Sequence, residues 1–123
     1  MYPTDRQYTT GHEWISISGK TARIGITDYA QDQLGDVVFV ELPDVGQVFD
    51  AGVQFGSIES VKAVSDLFCP MAGRVVEVNA ALSDQPETVN AGAHDAWMIV
   101  MELSDPSGTD DLLDAAAYTE LVS

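Results

Sequence analysis

The stretch Gly35-Asp36-Val37-Val38-Phe39-Val40 returns as Gly73-Arg74-Val75-Val76-Glu77-Val78. Further on, and in the same order, Val48-Phe49-Asp50-Ala51-Gly52 is matched in pattern by Thr88-Val89-Asn90-Ala91-Gly92. A repeat of this kind restricts the fold more than any propensity does, because each unit must bury its apolar face against the other. The two halves, about residues 35–60 and 73–103, each read as strand, turn region, Ala-Gly and strand. Pro43, Gly46, Gly52, Gly56, Pro70, Gly73, Pro86 and Gly92 punctuate a Val-rich, strand-like run that reaches about Leu103. Short strands at this spacing predict a mainly β sandwich or barrel: two small antiparallel sheets packed face to face with approximate twofold symmetry.

The flanks are legible from local signals. Residues 1–11 read as an irregular lead-in. Glu13–Ser18 alternates, with Ile15 and Ile17 set against Ser16 and Ser18, and Thr21–Ile26 alternates again; Ser18-Gly19-Lys20 between them predicts a hairpin. Asp28–Leu34 predicts a short helix capped by Thr27 or Asp28, with Gln31 in the capping-box position and Gly35 as the stop. Residues 110–122 carry Leu112, Leu113, Ala116, Ala117, Tyr118, Leu121 and Val122 at helical spacing, which predicts a C-terminal helix lying on the sheet as a structural lid, with Asp110, Asp111 and Asp114 suited to its start. A chain of 123 residues supports one core, so residues 1–123 are read as a single domain.

Charge narrows the partners. Five Lys and Arg against twenty Asp and Glu give a net charge of −15, which repels nucleic-acid phosphates and anionic membranes and favours basic surfaces on other proteins. No run approaches the apolar length of a membrane span. Met1–Thr10 shows no basic region followed by an apolar one, so neither a signal nor a transit peptide is expected. The single Cys69 excludes an intramolecular disulfide and fits a reducing compartment. A monomer in a bacterial cytoplasm, rather than in a mitochondrial matrix, is the expectation.

Lys62 is one of only two lysines, the other being Lys20. A lysine taken at random is a solvated surface charge. Lys62 differs by its place, in Ser60-Val61-Lys62-Ala63 at the joint between the two halves, where a tight hairpin turn is expected. There the amine projects outward, far from other cations, as an acceptor for an acyl group. Other candidates are weaker. His12, His94 and Cys69 make no ligand-spaced cluster, and Cys69 before Pro70, without a paired base, reads as a half-buried, apolar-like residue. Gly52, Gly56 and Gly73 lack the Lys-Ser/Thr of a phosphate loop. The absence of a catalytic constellation predicts a protein that is not an enzyme.

Five blocks carry a resemblance: His12-Glu13-Trp14; Gly25-Ile26-Thr27-Asp28-Tyr29-Ala30-Gln31; Leu34-Gly35-Asp36-Val37-Val38-Phe39-Val40-Glu41-Leu42-Pro43; Glu59-Ser60-Val61-Lys62-Ala63-Val64-Ser65-Asp66; and Gly73 to Asn79. Together the chain resembles the H protein of the glycine cleavage system, a lipoyl-carrier family. The resemblance implies a barrel-sandwich hybrid of the lipoyl/biotinyl-carrier type and makes Lys62 the residue that holds lipoate in amide linkage. It implies a shuttle that takes the aminomethyl group of glycine from a pyridoxal-phosphate decarboxylase to a tetrahydrofolate-dependent aminomethyltransferase, a dihydrolipoyl dehydrogenase then reoxidising the dithiol with NAD. A lipoyl ligase or transferase would load Lys62. The loaded arm is open to attack by water, so a shielding surface cleft with acidic or carbonyl lining is expected, and Glu13 and Asp66 are the candidate contacts to that arm. Biotinyl carriers usually flank their lysine with methionine, unlike Val61 and Ala63. Lipoyl domains of 2-oxo acid dehydrogenases typically have Asp before it. The alternative use of the same Lys62 is a lipoyl or octanoyl relay to other enzymes. Ala93-His94-Asp95-Ala96-Trp97 departs from a Pro-Tyr-Gly-like motif common in the family, which bears on partner contact.

Overall fold

A computed structural model describes residues 2–109 and 111–122. The chain runs β1 (Gln7–Tyr8), β2 (Glu13–Ser18), β3 (Thr21–Ile26), α1 (Asp28–Leu34), β4 (Val37–Glu41), β5 (Val48–Phe49), β6 (Gln54–Ser60), β7 (Val64–Phe68), β8 (Gly73–Val78), α2 (Ala81–Asp84), α3 (Thr88–Ala91), β9 (Ile99–Leu103) and α4 (Ala115–Val122). Among the described residues the strands form a six-stranded sheet, β1-β2-β3-β9-β8-β5, and a three-stranded one, β4-β6-β7, both antiparallel and neither closed into a barrel. Ile15, Ile24, Val75, Ile99 and Met101 from the larger sheet meet Val37, Val40, Ile58 and Leu67 from the smaller in one core. The two-sheet β architecture is the expected one.

Local signals hold to the residue. The β2–β3 hairpin turns at Gly19, whose φ of +63° costs glycine least. Thr27 Oγ1 accepts from the Ala30 N–H at 3.2 Å to cap α1, and Gly35 ends it, donating its N–H to the Gln31 carbonyl at 3.0 Å. The repeat is also structural. β4 breaks register with β6 between Val37 and Phe39, and β8 breaks register with β9 between Val75 and Glu77, the same position in the two copies. Each bulge keeps the first valine, Val37 or Val75, in the core while Val38 or Val76 stays exposed.

Four expectations need correction. The lead-in is not wholly irregular, since Gln7–Tyr8 within residues 1–11 forms β1 and pairs with Trp14 and Ile15 of β2. The second match of the repeat is not structural: Val48–Phe49 is a strand, whereas Thr88–Ala91 is the helix α3, and α2 also interrupts the expected strand-like run. Leu82 and Val89, both fully buried, pin these short helices over the core, while the segment between them is poor in the β-branched residues a strand would need. The halves do not make one sheet each either, because β5 of the first half pairs with β8 of the second. Finally, the C-terminal helix is shorter than 110–122. It begins at Ala115, where Asp114 Oδ1 accepts from the Ala117 N–H at 2.8 Å as a cap, and Asp110 lies outside the described residues. Leu113 cannot join it, because its backbone exchanges both hydrogen bonds with Tyr8, at 2.7 and 2.8 Å. The helix packs into a separate aromatic cluster with Tyr8, Trp14 and Tyr118.

Two glycines mark where backbones touch. A Cβ on Gly56 would stand 2.3 Å from the Glu41 carbonyl oxygen, and one on Gly73 would stand 2.5 Å from that of Glu102. Because the obstacle is backbone, no rotamer change relieves it. Gly56→Ala and Gly73→Ala are each expected to cost about 1–3 kcal/mol, read as a lower urea midpoint with an unchanged slope.

Candidate functional site

The β6–β7 hairpin delivers Lys62 to the surface. The Ser60 N–H donates to the Ala63 carbonyl at 2.8 Å, closing the turn, and Ser60 Oγ accepts from the N–H groups of Lys62 and Ala63 at 3.3 and 3.1 Å. A second tie reaches out of the hairpin: the Val61 N–H donates to the Asp36 carbonyl at 3.0 Å. The tip is therefore fixed both internally and to the α1–β4 segment. Val61, Lys62 and Ala63 are exposed, and the ion pairs among the described residues are Arg6–Asp5 and Arg74–Glu102, so Lys62 Nζ carries none. Its methylenes lie over Gly35, where an added Cβ would meet Cε at 3.4 Å. Gly35 has φ 78° and ψ −153°, a conformation essentially confined to glycine, and so provides a bare platform under the side chain.

A trough starts beside that platform. Tyr29, Leu34, Gln33 and Ser65 line a depression of about 270 Å³ that ends at Gly11 and His12. Gly11 is shared with a second depression of about 420 Å³, lined by Thr9, Glu13, Phe68 and Cys69 among others. Glu13 is its buried acid, only 3 % exposed, and Gly11 packs closely against it, since a Cβ there would sit 3.0 Å from Oε1. Oε1 accepts from the Thr9 hydroxyl at 2.5 Å, and Oε2 lies 3.5 Å from the Phe68 N–H. Burial pushes the Glu13 carboxyl above its ordinary value, against the pull of these two donors. Burial likewise drives the Cys69 thiol up to about 12, with Glu13 adding to it, and the residue is fully buried rather than half-buried, so it is an inert core side chain.

The chain as a whole is similar to known proteins. The family model described as glycine cleavage H-protein matches residues 6–123. A glycine cleavage system H protein of Koribacter versatilis is 57% identical over 122 residues, covering 99% of this chain and 94% of the relative. That of Acidobacterium capsulatum is 54% identical over 121 residues, covering 98% and 94%. A crystal structure of a glycine cleavage system H protein from Mycobacterium marinum superposes with a TM-score of 0.89 at 40% identity, covering 97% of both chains. The chain belongs to the glycine cleavage H-protein family. It is the carrier subunit of that system, the lipoyl-bearing shuttle, and not an enzyme.

Within this H-protein site the three sequence-predicted residues are not all brought together. Glu13 lines the second depression, and Lys62, lying over Gly35, lines neither part of the trough. Asp66 does not line it: strand alternation puts Asp66 on the exposed face of β7 with Val64, while Ser65 and Leu67 face inward. Asp66 accepts from Gln54 Nε2 at 3.1 Å and borders a different depression, of about 510 Å³, over the outer face of the three-stranded sheet. The atypical loop is anchored instead to the N-terminal segment and α1. His94 O accepts from Arg6 Nη1 at 2.6 Å, Ala93 O accepts from the Trp14 indole N–H at 3.1 Å, and His94 Nε2 accepts from the Asp28 N–H at 3.2 Å.

Sequence reasoning passed over two supports. Tyr118 from α4 bonds through its hydroxyl to Thr27 Oγ1 at 2.7 Å and His12 Nδ1 at 2.8 Å, joining the C-terminal helix to the residue next to Glu13. Asn90 from α3 bonds the segment under Lys62. Neither lies near its partner in sequence, and only a long-range pairing signal would have found them.

The raised Glu13 carboxyl has a signed consequence. The folded state holds this proton more tightly than the unfolded state does, so the group disfavours folding once ionised. Its unfavourable contribution is absent below the ordinary value of 4.5 and complete above the raised one, so stability falls as pH rises between them. Glu13→Gln keeps the acceptor for Thr9 and removes the titration. Urea unfolding across that window is expected to show the wild type losing stability relative to Glu13→Gln as pH rises; a constant difference would contradict the assignment.

Proposed function

We propose that Lys62 carries lipoate in amide linkage and that the trough from Gly35 to Glu13 receives the loaded arm. One observation carries this reading: Lys62 is the exposed, ion-pair-free tip of a hairpin held both within itself and by the Asp36 carbonyl. The residues present suit the group. Nζ is free to serve as the amine in acylation, the bare Gly35 platform lets the side chain lie toward the trough, and Tyr29 and Leu34 offer apolar wall to a hydrocarbon chain. When bound, lipoate supplies a disulfide that accepts the glycine-derived one-carbon unit and is later restored.

The chain's own contribution is placement and shelter. Lys62 sets the pivot on a tip that does not have to be ordered for each encounter. Glu13, buried and held by Thr9 and the Phe68 amide, offers a carboxylate to a cationic amine, and the attraction is larger there than in bulk water. Asp66 is accessible from the outer face of the same hairpin and meets partners or the free arm from that side. The net charge of −15 suits basic docking surfaces on the decarboxylase, the aminomethyltransferase, the dihydrolipoyl dehydrogenase and the ligase or transferase that loads Lys62. Tip and trough come from one chain, which supports a monomeric carrier, and the bacterial relatives support a place in a bacterial cytoplasm.

In a reconstituted system with the three partner enzymes, tetrahydrofolate and NAD, the lipoylated protein is expected to support glycine-dependent NADH formation, and Lys62→Arg to fall to background with an unchanged circular dichroism spectrum. Full activity in that variant would refute the reading. Glu13→Ala is expected to leave lipoylation intact and to shorten the lifetime of the glycine-loaded protein; an unchanged lifetime would reduce Glu13 to scaffold.

A further inference from the structure

Asn90 sits in α3, which the fully buried Val89 holds to the core. Its amide reaches the short segment between α1 and β4. Nδ2 donates to the Gly35 carbonyl at 2.8 Å and to Gln31 Oε1 at 2.9 Å, while Oδ1 accepts from the Val37 N–H at 2.8 Å. A backbone carbonyl only accepts and an N–H only donates, so the two backbone groups dictate which way the amide points. Aspartate cannot replace the donor, and an aliphatic side chain replaces neither.

The segment so held is the seat of Lys62. Gly35 lies under the lysine methylenes, and the Asp36 carbonyl accepts from the Val61 N–H. Regular structure gives this segment little other support, because α1 ends at Leu34 and the β4–β6 ladder slips directly after Val37. The hairpin itself closes without Asn90, through Ser60 and Ala63. Losing the amide would therefore leave the turn formed and loosen its placement against α1.

We propose that Asn90 is a positioning residue for Lys62: by clamping Gly35 and Val37, it fixes the direction in which Nζ is presented to the enzyme that acylates it. This rests on the reading of Lys62 as the acyl acceptor. A tip that samples more directions meets the ligase productively less often, and displacements of about 1 Å cost up to roughly 100-fold in such encounters.

The test follows initial rates of Lys62 acylation by a lipoate–protein ligase supplied with ATP and lipoate. The free Nζ amine attacks the acyl carbon of lipoyl adenylate; the C–N amide bond forms, the bond from the acyl carbon to the phosphate oxygen breaks, AMP leaves with the electron pair, and the surplus amine proton goes to solvent. Asn90→Ala and Asn90→Asp are expected to lower kcat/KM about 10-fold while still reaching one lipoyl group per chain with excess ligase. Hydrogen exchange should speed up at the Val61 amide and not at the Ser60 amide. Val75→Ala, a core truncation in the other sheet, controls for lost stability and should keep the wild-type kcat/KM. If neither Asn90 variant folds, Gln31→Ala removes one acceptor of the same amide and should give a smaller fall in the same direction. Wild-type kcat/KM in the folded variants, or an equal fall in Val75→Ala, would overturn the inference. A wild type that is not acylated at Lys62 would instead overturn the carrier reading.

Discussion

The hydrogen bond from the Val61 N–H to the Asp36 carbonyl ties the tip of the Lys62 hairpin to the segment between α1 and β4. Without it β6 and β7 would still be a hairpin, but one whose tip pointed wherever the three-stranded sheet allowed. Several sequence features converge on that bond. Gly35 stops α1 in a conformation other residues do not adopt, which turns the Asp36 carbonyl toward the tip. The bulge after Val37 keeps that valine in the core while the chain bends past it. The proposed attachment of lipoate to Lys62 calls for a foot that stays still and an arm that moves, and this seat would provide the foot.

The other end of the trough depends on a different network. His12 has a φ of 71°, uncommon outside glycine, and its Nδ1 is bonded to Tyr118, which also bonds the cap of α1 at Thr27. Tyr118 stacks on Tyr8 with ring centroids 4.8 Å apart, and Tyr8 exchanges backbone bonds with Leu113. The C-terminal helix thus does more than cover a sheet: it holds the turn that places Glu13 at the floor of the recess. Burial outweighs the donors that serve this carboxylate, the Thr9 hydroxyl, the Phe68 amide and its own backbone N–H, which is why its proton is retained above the usual range.

What could be read from the sequence divides along the same line. The β2–β3 hairpin, α1 and the Lys62 turn were legible because their signals are local: alternation, a Thr cap, a glycine stop. The GxVVxV pair was legible because two strands in equivalent places need the same inward valines. The Ala-Gly match was not, since Val-Asn-Ala suits a helical turn as well as a strand end, and burial of Val89 decided it. Asp66 faces away from the trough, and the period-two alternation from Val64 to Leu67 already places it on the outer face. The sequence signal overextends α4 at its start, because Leu112 and Leu113 keep helical spacing while Leu113 is committed to pairing with Tyr8. Asn90 gave no local signal at all.

The central claim is that one lysine, at one braced tip, is the attachment point. Peptide mapping by mass spectrometry, after the protein has been made together with a lipoylating enzyme and excess lipoate, addresses it most directly. The account predicts a single lipoyl amide, on the peptide that contains Lys62, with Lys20 unmodified. A lipoyl group on Lys20, or none on Lys62, would contradict it.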